Sequence, residues 1–281
     1  MEKYSVVFIT DQNYIQHLGV AIYSLLNNNK ELVFDIYIIN NGIDKEEYNK
    51  LELIASKYHC RITNILANDD IFSNVKIDKH FTKTTYYRLL IPTFIKVDKV
   101  LFLDSDIVVN NSIEELYSTN IDDYMVAAVE SPGFDRHREL KMDANAKYFN
   151  SGVLLINVKR WIQENVLEKV INFVESNPSD VKYLDQCGLN AIINGNWKEL
   201  PLKFNQMTRL FNKYYNIQYE CFPNYELKEA KENPVIIHYS GLLKPWHFRC
   251  NHPYKRLYWK YLKLTPFKKY IPEDLTILNV I

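Results

Sequence analysis

Val100-Leu101-Phe102-Leu103-Asp104-Ser105-Asp106-Ile107-Val108-Val109 is an apolar run broken by two aspartates one residue apart. Apolar residues on both sides of the break predict a strand covered on both faces, as in the interior of an α/β sheet. Such a strand does not carry two carboxylates for stability, because an unpaired buried charge costs several kcal/mol or more. The pair therefore belongs at the strand end and needs a cationic partner. In open α/β sheets that end is where ligands bind. Side chains two apart on a strand share a face, so Asp104 and Asp106 can converge on one divalent ion. Taken alone, the same residues also describe a strand end followed by an Asp-capped turn. The flanking apolar run and the residues discussed below favour the ion site.

Working outward, residues 6–10 predict a first strand ending at Asp11-Gln12-Asn13, and a helix follows from about 14 to 26 with Leu18, Ala21, Ile22 and Leu25 at helical spacing. Residues 34–39 and 61–66 predict two further strands, with a helix over 45–58 between them. This βαβαβ order predicts a parallel, right-handed sheet of the nucleotide-binding type. Residues 68–80 are polar and predict a loop or lid, and 84–94 predict a helix carrying Tyr86, Tyr87 and Arg88. Beyond the Asp104/Asp106 strand come a strand over 125–129, a polar and mobile stretch over 131–147, a strand over 151–157 and a helix over 161–175. A short helix opened by Asp185 spans 184–193, and a late strand over 235–239 runs into Ser240-Gly241-Leu242-Leu243-Lys244-Pro245-Trp246.

With 281 residues and 47% hydrophobic content, the chain has the material for one large α/β domain or a domain with a small appendage. A net charge of zero argues against general attraction to nucleic acid. Cys60, Cys187, Cys221 and Cys250 are scattered, which suggests neither a zinc site nor a disulfide framework. No signal peptide and no long apolar span is read, so the expectation is a reduced, cytoplasmic protein. The domain division expected is 1–248 for the catalytic unit and 249–281 for an appendage. Between 249 and 269 every charged residue is basic, interleaved with Tyr254, Tyr258, Trp259, Tyr261 and Phe267. That composition predicts either peripheral contact with an anionic membrane, each basic residue contributing roughly 1 kcal/mol, or a tail packed on the domain.

The late His238-Tyr239-Ser240-Gly241-Leu242-Leu243-Lys244 segment supplies the cations the aspartates need. A histidine at a strand end can be a third metal ligand, Gly241 permits close backbone approach, and Lys244 is a point charge suited to phosphate. Singly, His238 also reads as a hydrogen-bonded core histidine and Lys244 as a surface lysine; it is their occurrence in one glycine-containing turn that joins them to Asp104 and Asp106. Asp185 reads equally as a helix N-cap.

Six segments in order now carry a resemblance: Phe8-Ile9-Thr10-Asp11-Gln12-Asn13-Tyr14, Thr84-Thr85-Tyr86-Tyr87-Arg88-Leu89, Phe102-Leu103-Asp104-Ser105-Asp106, Phe149-Asn150-Ser151-Gly152-Val153, Asp185-Gln186-Cys187-Gly188-Leu189-Asn190 and the His238–Trp246 stretch. Together they resemble glycosyltransferase family 8, the lipopolysaccharide galactosyltransferase and glycogenin group, over residues from about 6 to 247. The resemblance implies a glycosyltransferase A type fold, a single Rossmann-like domain with a mostly parallel central sheet. It implies a bacterial retaining enzyme of polysaccharide biosynthesis that moves glucose or galactose from a UDP-hexose donor to a glycan, glycolipid or glycoprotein acceptor. Asp11 and Asn13 would hold the uridine, with Thr10 beside them in the substrate site; Asp104, Asp106 and His238 would bind Mn²⁺, with Mg²⁺ the near competitor. Lys244 and the metal would stabilise the leaving group. Arg88, Asn150, Asp185 and Gln186 would surround the donor sugar, with Ser105, Ser151 and Gly241 also in the substrate site. Gln186, Asp185 and Asp106 are the residues expected to act in catalysis. Residues 68–80 and 131–147 match no pattern, so the acceptor is not implied.

Two other classes compete. The apolar strand with Asp104 and Asp106 also fits haloacid dehalogenase-like phosphatases, though there the motif strand usually opens the chain and an acidic pair follows a later strand. A non-catalytic sugar-nucleotide-binding module would keep Asp11 and Asn13 without needing the Asp104/Asp106/His238 set. Self-glucosylation, as in the glycogenin branch, is a further variant within the family.

Overall fold

The first strand alternates its apolar residues between two cores: Val6 and Phe8 pack on one side of the sheet and Val7 on the other, all of them fully buried. Strand period two makes this two-sided burial possible only where helices cover both faces. The computed structural model describes residues 3–73, 75, 83–272 and 274–275, without the side chain of residue 215. It begins β1 (Lys3–Thr10), α1 (Ile15–Asn27), β2 (Val33–Asn40), α2 (Lys45–Ala55) and β3 (Cys60–Leu66). It continues with α3 (Ile91–Phe94), β4 (Lys99–Leu103), β5 (Ile107–Val109), α4 (Glu114–Ser118), β6 (Val126–Glu130) and β7 (Phe149–Asn157). Then follow α5 (Val158–Gln163), α6 (Val166–Ser176), α7 (Leu184–Ile193), β8 (Lys198–Glu199), β9 (Gln206–Met207), α8 (Asn224–Glu232), β10 (Ile236–His238) and α9 (Lys255–Leu262).

The main sheet has the order β3-β2-β1-β4-β7-β6-β8. It is α/β and mostly parallel: β3, β2, β1 and β4 run together, and β7 runs against both β4 and β6. The second sheet is small, in the order β5-β10-β9, with β10 antiparallel to β5 and parallel to β9.

The run 100–109 is thus two strands in two sheets, where the sequence pattern reads as one. Ser105 stands at the break, its hydroxyl donating to the Ile9 carbonyl at 2.8 Å. The Asp104 amide still donates to the Gly152 carbonyl at 2.9 Å, and the Asp106 carbonyl accepts from the Tyr239 amide at 3.0 Å. Crossing between sheets takes both carboxylates out of a fully buried ladder and turns them toward the junction. The helix expected over 84–94 is instead a 3₁₀ turn over Lys83–Leu90 followed by the short α3. Pro92 lacks the N–H that one continuous α-helix would need there.

Residues 68–80 are described only in part. Phe72 is buried and stacks on Tyr86 and Tyr87, and Asp69 accepts a hydrogen bond from the Tyr87 hydroxyl. The loop 131–147 is held by Phe134 stacked on Tyr148, ring centres 3.9 Å apart, and by Arg136 donating to the Asp180 carbonyl.

The basic, aromatic stretch packs on the domain. Tyr258, Tyr261, Leu262 and Phe267 are buried in the same core as α1. Gly19 on α1 seats Phe267: a Cβ there would lie 2.5 Å from the ring. Three of the five rings that membrane contact would send to the headgroups, Tyr258, Tyr261 and Phe267, are therefore core residues, and Tyr254 and Trp259 pack half-buried against them.

Candidate functional site

Asp104, Asp106 and His238 meet at the junction of the two sheets. Strand β10 ends at His238, whose register partner on β5 is Ile107, so Asp106 lies beside it although 132 residues separate them in sequence. One donor atom from each of the three lies within 4.8 Å of the others. His238 Nε2 is 3.4 Å from Asp106 Oδ1 and 3.8 Å from Asp104 Oδ2, while Nδ1 is turned away to Asn205 Oδ1 at 2.9 Å. A ring nitrogen facing two carboxylates, with the other nitrogen hydrogen-bonded behind it, is a donor set that could hold a divalent cation. Gly152 keeps the space open: a Cβ there would stand 2.3 Å from His238 Cε1 and 2.7 Å from Asp104 Oδ2.

The two aspartates are driven in opposite directions. Burial pushes the Asp104 carboxyl up, against the opposing pull of Arg88, and the Asp106 charge adds to the rise. Burial opposes ionisation of Asp106 as well, but Lys244 and His238 outweigh it and hold that carboxyl well below the usual range. Lys244 Nζ sits 2.5 Å from Asp106 Oδ2 and 3.0 Å from the Tyr239 carbonyl. Desolvation alone would lower the lysine's pKa; the Asp106 charge wins and raises it.

Arg88 is the other cation, 6% exposed under the site. Its guanidinium lies over the Phe102 ring at 4.4 Å, donates to the Ser151 carbonyl at 2.5 Å, and pairs with Asp104 Oδ1 at 3.3 Å. Its Nε is 2.7 Å from Asp185 Oδ2, close as an ion pair but without hydrogen-bond alignment. Burial raises the Asp185 carboxyl to about 7, with Arg88 acting against it and Asp104 with it. Asp185 is not an N-cap: it lies within the first turn of α7, behind Leu184, which takes a φ of +43°. A left-handed leucine is strained, and strain of this kind persists where packing over-determines it.

Gln186 is tightly held. Its Oε1 accepts from Asn150 Nδ2 at 3.1 Å, from the Ser151 amide at 3.0 Å and from the Ser151 hydroxyl at 3.3 Å, and its Nε2 donates to the Tyr148 hydroxyl at 3.1 Å. At the end of β1, Asp11 accepts from the amides of Asn13 and Tyr14 at 2.9 and 3.2 Å, so part of its carboxylate is committed to its own turn. The Thr10 hydroxyl donates to the Asp11 carbonyl at 3.1 Å. Gly241 has φ +103°, a conformation that favours glycine, and faces open space.

Sequence reasoning brought Asp104, Ser105, Asp106, His238 and Lys244 together, and the structure adds Asn205, Gly152, Tyr148 and Tyr14. Tyr14 is 38% exposed, yet desolvation raises its phenol, Lys244 opposes that rise, and Asp106, Asp11 and Asp104 reinforce it; its ring meets His17 and Trp246 edge-on. Gly152 could have been singled out from Asn150-Ser151-Gly152, where a small residue follows two polar ones. Asn205 had no signal, lying on no motif and 33 residues from its partner His238.

A family model described as Glycosyl transferase family 8 matches residues 5–250. General stress protein A of Bacillus subtilis is 34% identical over 268 residues, covering 92% of this chain and 93% of that protein. The lipopolysaccharide 1,3-galactosyltransferase of Salmonella typhimurium is 30% identical over 262 residues, 88% of this chain and 74% of the relative. In fold, the chain is similar to the galactosyltransferase LgtC solved in complex with donor and acceptor sugar analogs, at a TM-score of 0.81 and 24% identity over 96% of this chain and 98% of that one.

Proposed function

The chain belongs to glycosyltransferase family 8 and is a glycosyltransferase, and from that premise we propose that it moves glucose or galactose from a UDP-hexose to a glycan, glycolipid or glycoprotein acceptor with retention of configuration. The observation that carries this reading is the convergence of Asp104, Asp106 and His238 within 4.8 Å. Two carboxylates and an imidazole suit Mn²⁺, with Mg²⁺ the competitor. A bound ion supplies positive charge where the diphosphate leaving group gathers negative charge. The relatives named as lipopolysaccharide glucosyl- and galactosyltransferases support a hexose as the cargo.

The chain's own residues then divide the work. Lys244, held against Asp106, stands where it can transfer its ion pair to a donor phosphate. Arg88 fixes Asp104 from one side and Asp185 from the other, so the sugar-facing carboxylate and the metal-facing one are set by a single guanidinium. Thr10, Asp11 and Asn13 line the turn assigned to the uridine. Asp185 is 2% exposed and paired, a poor candidate for a nucleophile beneath an anomeric carbon. Gln186 has an amide oxygen already accepting from three donors. With no free carboxylate assigned to nucleophile or base, front-face substitution is the route that fits. The acceptor oxygen bonds to the anomeric carbon on the side from which UDP leaves, the bond to the phosphate oxygen breaks, and the acceptor proton passes to the departing phosphate.

All four thiols are free, in keeping with a cytoplasmic setting. No helix of the described residues is long and apolar enough to cross a membrane. Contact with an anionic surface would fall to exposed Arg256, Lys260, Lys263, Lys268 and Lys269. The direct test incubates the protein with UDP-glucose and UDP-galactose, with and without Mn²⁺, and measures UDP release and the anomeric coupling of the product. Mn²⁺-dependent release and an α product are expected. Release insensitive to chelator, or a β product from an α donor, overturns the reading.

A further inference from the structure

Whether His238 can serve as a ligand depends on which of its ring nitrogens carries the proton, and two backbone N–H groups settle that. The Gly152 N–H donates to Asn150 Oδ1 at 3.0 Å. A backbone N–H can only donate, so the oxygen of the Asn150 amide must face it. The Ser151 N–H donates to Gln186 Oε1 at 3.0 Å, which orients that amide, and Asn150 Nδ2 donates to the same oxygen at 3.1 Å, in agreement with the first assignment. The Asn205 atom 2.8 Å from Asn150 Oδ1 is then its NH₂ group. Asn205 therefore turns its oxygen to His238 Nδ1 at 2.9 Å, and an acceptor in that position requires Nδ1 to carry hydrogen. In the neutral ring the lone pair is left on Nε2, facing Asp104 and Asp106. Asn205 is wholly buried, so water does not compete for either end of its amide.

Without a cation this tautomer is the worse of the two, because it aims a lone pair at two carboxylates when an Nε2–H would donate to them. We propose that Asn205 is the positioning residue that imposes it: Asn205 holds His238 as the Nδ1–H form, with Nε2 prepared for a divalent cation, and ties that orientation through Asn150 to the amide of Gln186. The use of the tautomer rests on the metal reading above; the tautomer itself exists with neither metal nor donor present.

The test is ¹⁵N imidazole NMR of the metal-free protein, at a pH where the ring is neutral, alongside calorimetric titration with Mn²⁺. In the wild type His238 should show a protonated Nδ1 and a bare Nε2. Asn205→Ala should populate the Nε2–H form and weaken Mn²⁺ binding about 10–100-fold. Asn205→Asp keeps an acceptor on Nδ1 and should restore the tautomer, although its second oxygen meets Asn150 Oδ1 and breaks the tie to Gln186; a purely structural role for the asparagine would not predict that recovery. An Nε2–H ring in the wild type overturns the proposal, and that spectrum decides even if Asn205→Ala fails to fold. Unchanged tautomer and affinity in a folded Asn205→Ala overturn it too. A wild type with the Nδ1–H ring but no Mn²⁺ binding upholds the tautomer and overturns the metal reading instead.

Discussion

His238 and His17 are equally buried, each 3% exposed, and they have opposite uses. His238 looks out on two carboxylates and is backed by an amide oxygen. His17, on α1, lies between rings: it stacks on Trp246 at 3.5 Å and 10°, meets Tyr14 and Tyr270 edge-on, and bonds to the Tyr258 hydroxyl at 2.6 Å. Burial pushes the His17 imidazole down to about 3. Burial by itself therefore says little about what a histidine does. Burial among rings, which outweighs the pull of the Asp106 charge, makes it a neutral packing piece that clamps the C-terminal segment to α1. Carboxylates on one nitrogen and an acceptor on the other suit it to the ligand role proposed for it. Trp246 lies only two residues beyond Lys244, so one short turn contributes to both regions.

The contrast is broken most severely at the acidic pair. Asp104→Asn should lower transfer by ~10³-fold or more, since it removes a charged ligand from the leaving-group side. Its melting temperature should stay level or rise, because burial already disfavours that carboxylate. Asp106→Asn should lose as much activity and also destabilise the fold by about 1–3 kcal/mol, because the half-buried Lys244 loses its charge partner and keeps only the Tyr239 carbonyl. Thermal melts of the two variants, compared side by side, check this; equal melting temperatures would contradict the opposite shifts.

Phe267→Ala breaks the other region. It should cost about 3–5 kcal/mol in urea unfolding, the usual penalty for emptying a phenylalanine site, while Mn²⁺ affinity stays within a few fold. A variant that loses the metal along with stability would mean that the ring region supports the site directly.

The pH response of His17 sharpens the comparison. The unfolded chain takes up a proton near the ordinary histidine value of 6.5, and the folded chain refuses it until about 3. Protonation then favours the unfolded state, so stability is full above 6.5 and falls as pH drops toward 3. The loss should reach about 4 kcal/mol at the acid end, from a shift of this size. His252, pushed down to about 4 by burial in the same segment, adds in the same direction. Urea midpoints of the wild type and His17→Gln across that range should converge at low pH; parallel curves would rule His17 out as the cause.

The smallest effect is expected at Gln186. Gln186→Ala should slow transfer by about tenfold, on the order of 1.4 kcal/mol, because its amide orients Asn150 and Ser151 and makes no covalent bond. A complete loss in steady-state assays would put Gln186 in the chemistry itself.

Local pattern was enough for much of this protein. The apolar runs of β1 and β2, the βαβαβ order and the helical spacing in α1 depend on neighbours a few residues apart, and they predicted the parallel half of the sheet. The acidic pair was legible because two carboxylates in an apolar run are costly unless they are partnered. The tertiary structure decided the rest. Nothing in residues 100–109 marks the transfer from one sheet to another, because both strands are equally apolar and the change lies in which partners they pair with. Aromatic, basic residues over 249–269 suit a membrane surface or a core equally well, and it is the bare Cα of Gly19, some 250 residues away, that gives Phe267 its seat. Asn205 carries no local signature at all. It reaches His238 only because β9 pairs with β10, and long-range pairing of this kind is set by the shapes and hydrogen bonds of surfaces that exist only once the chain has folded.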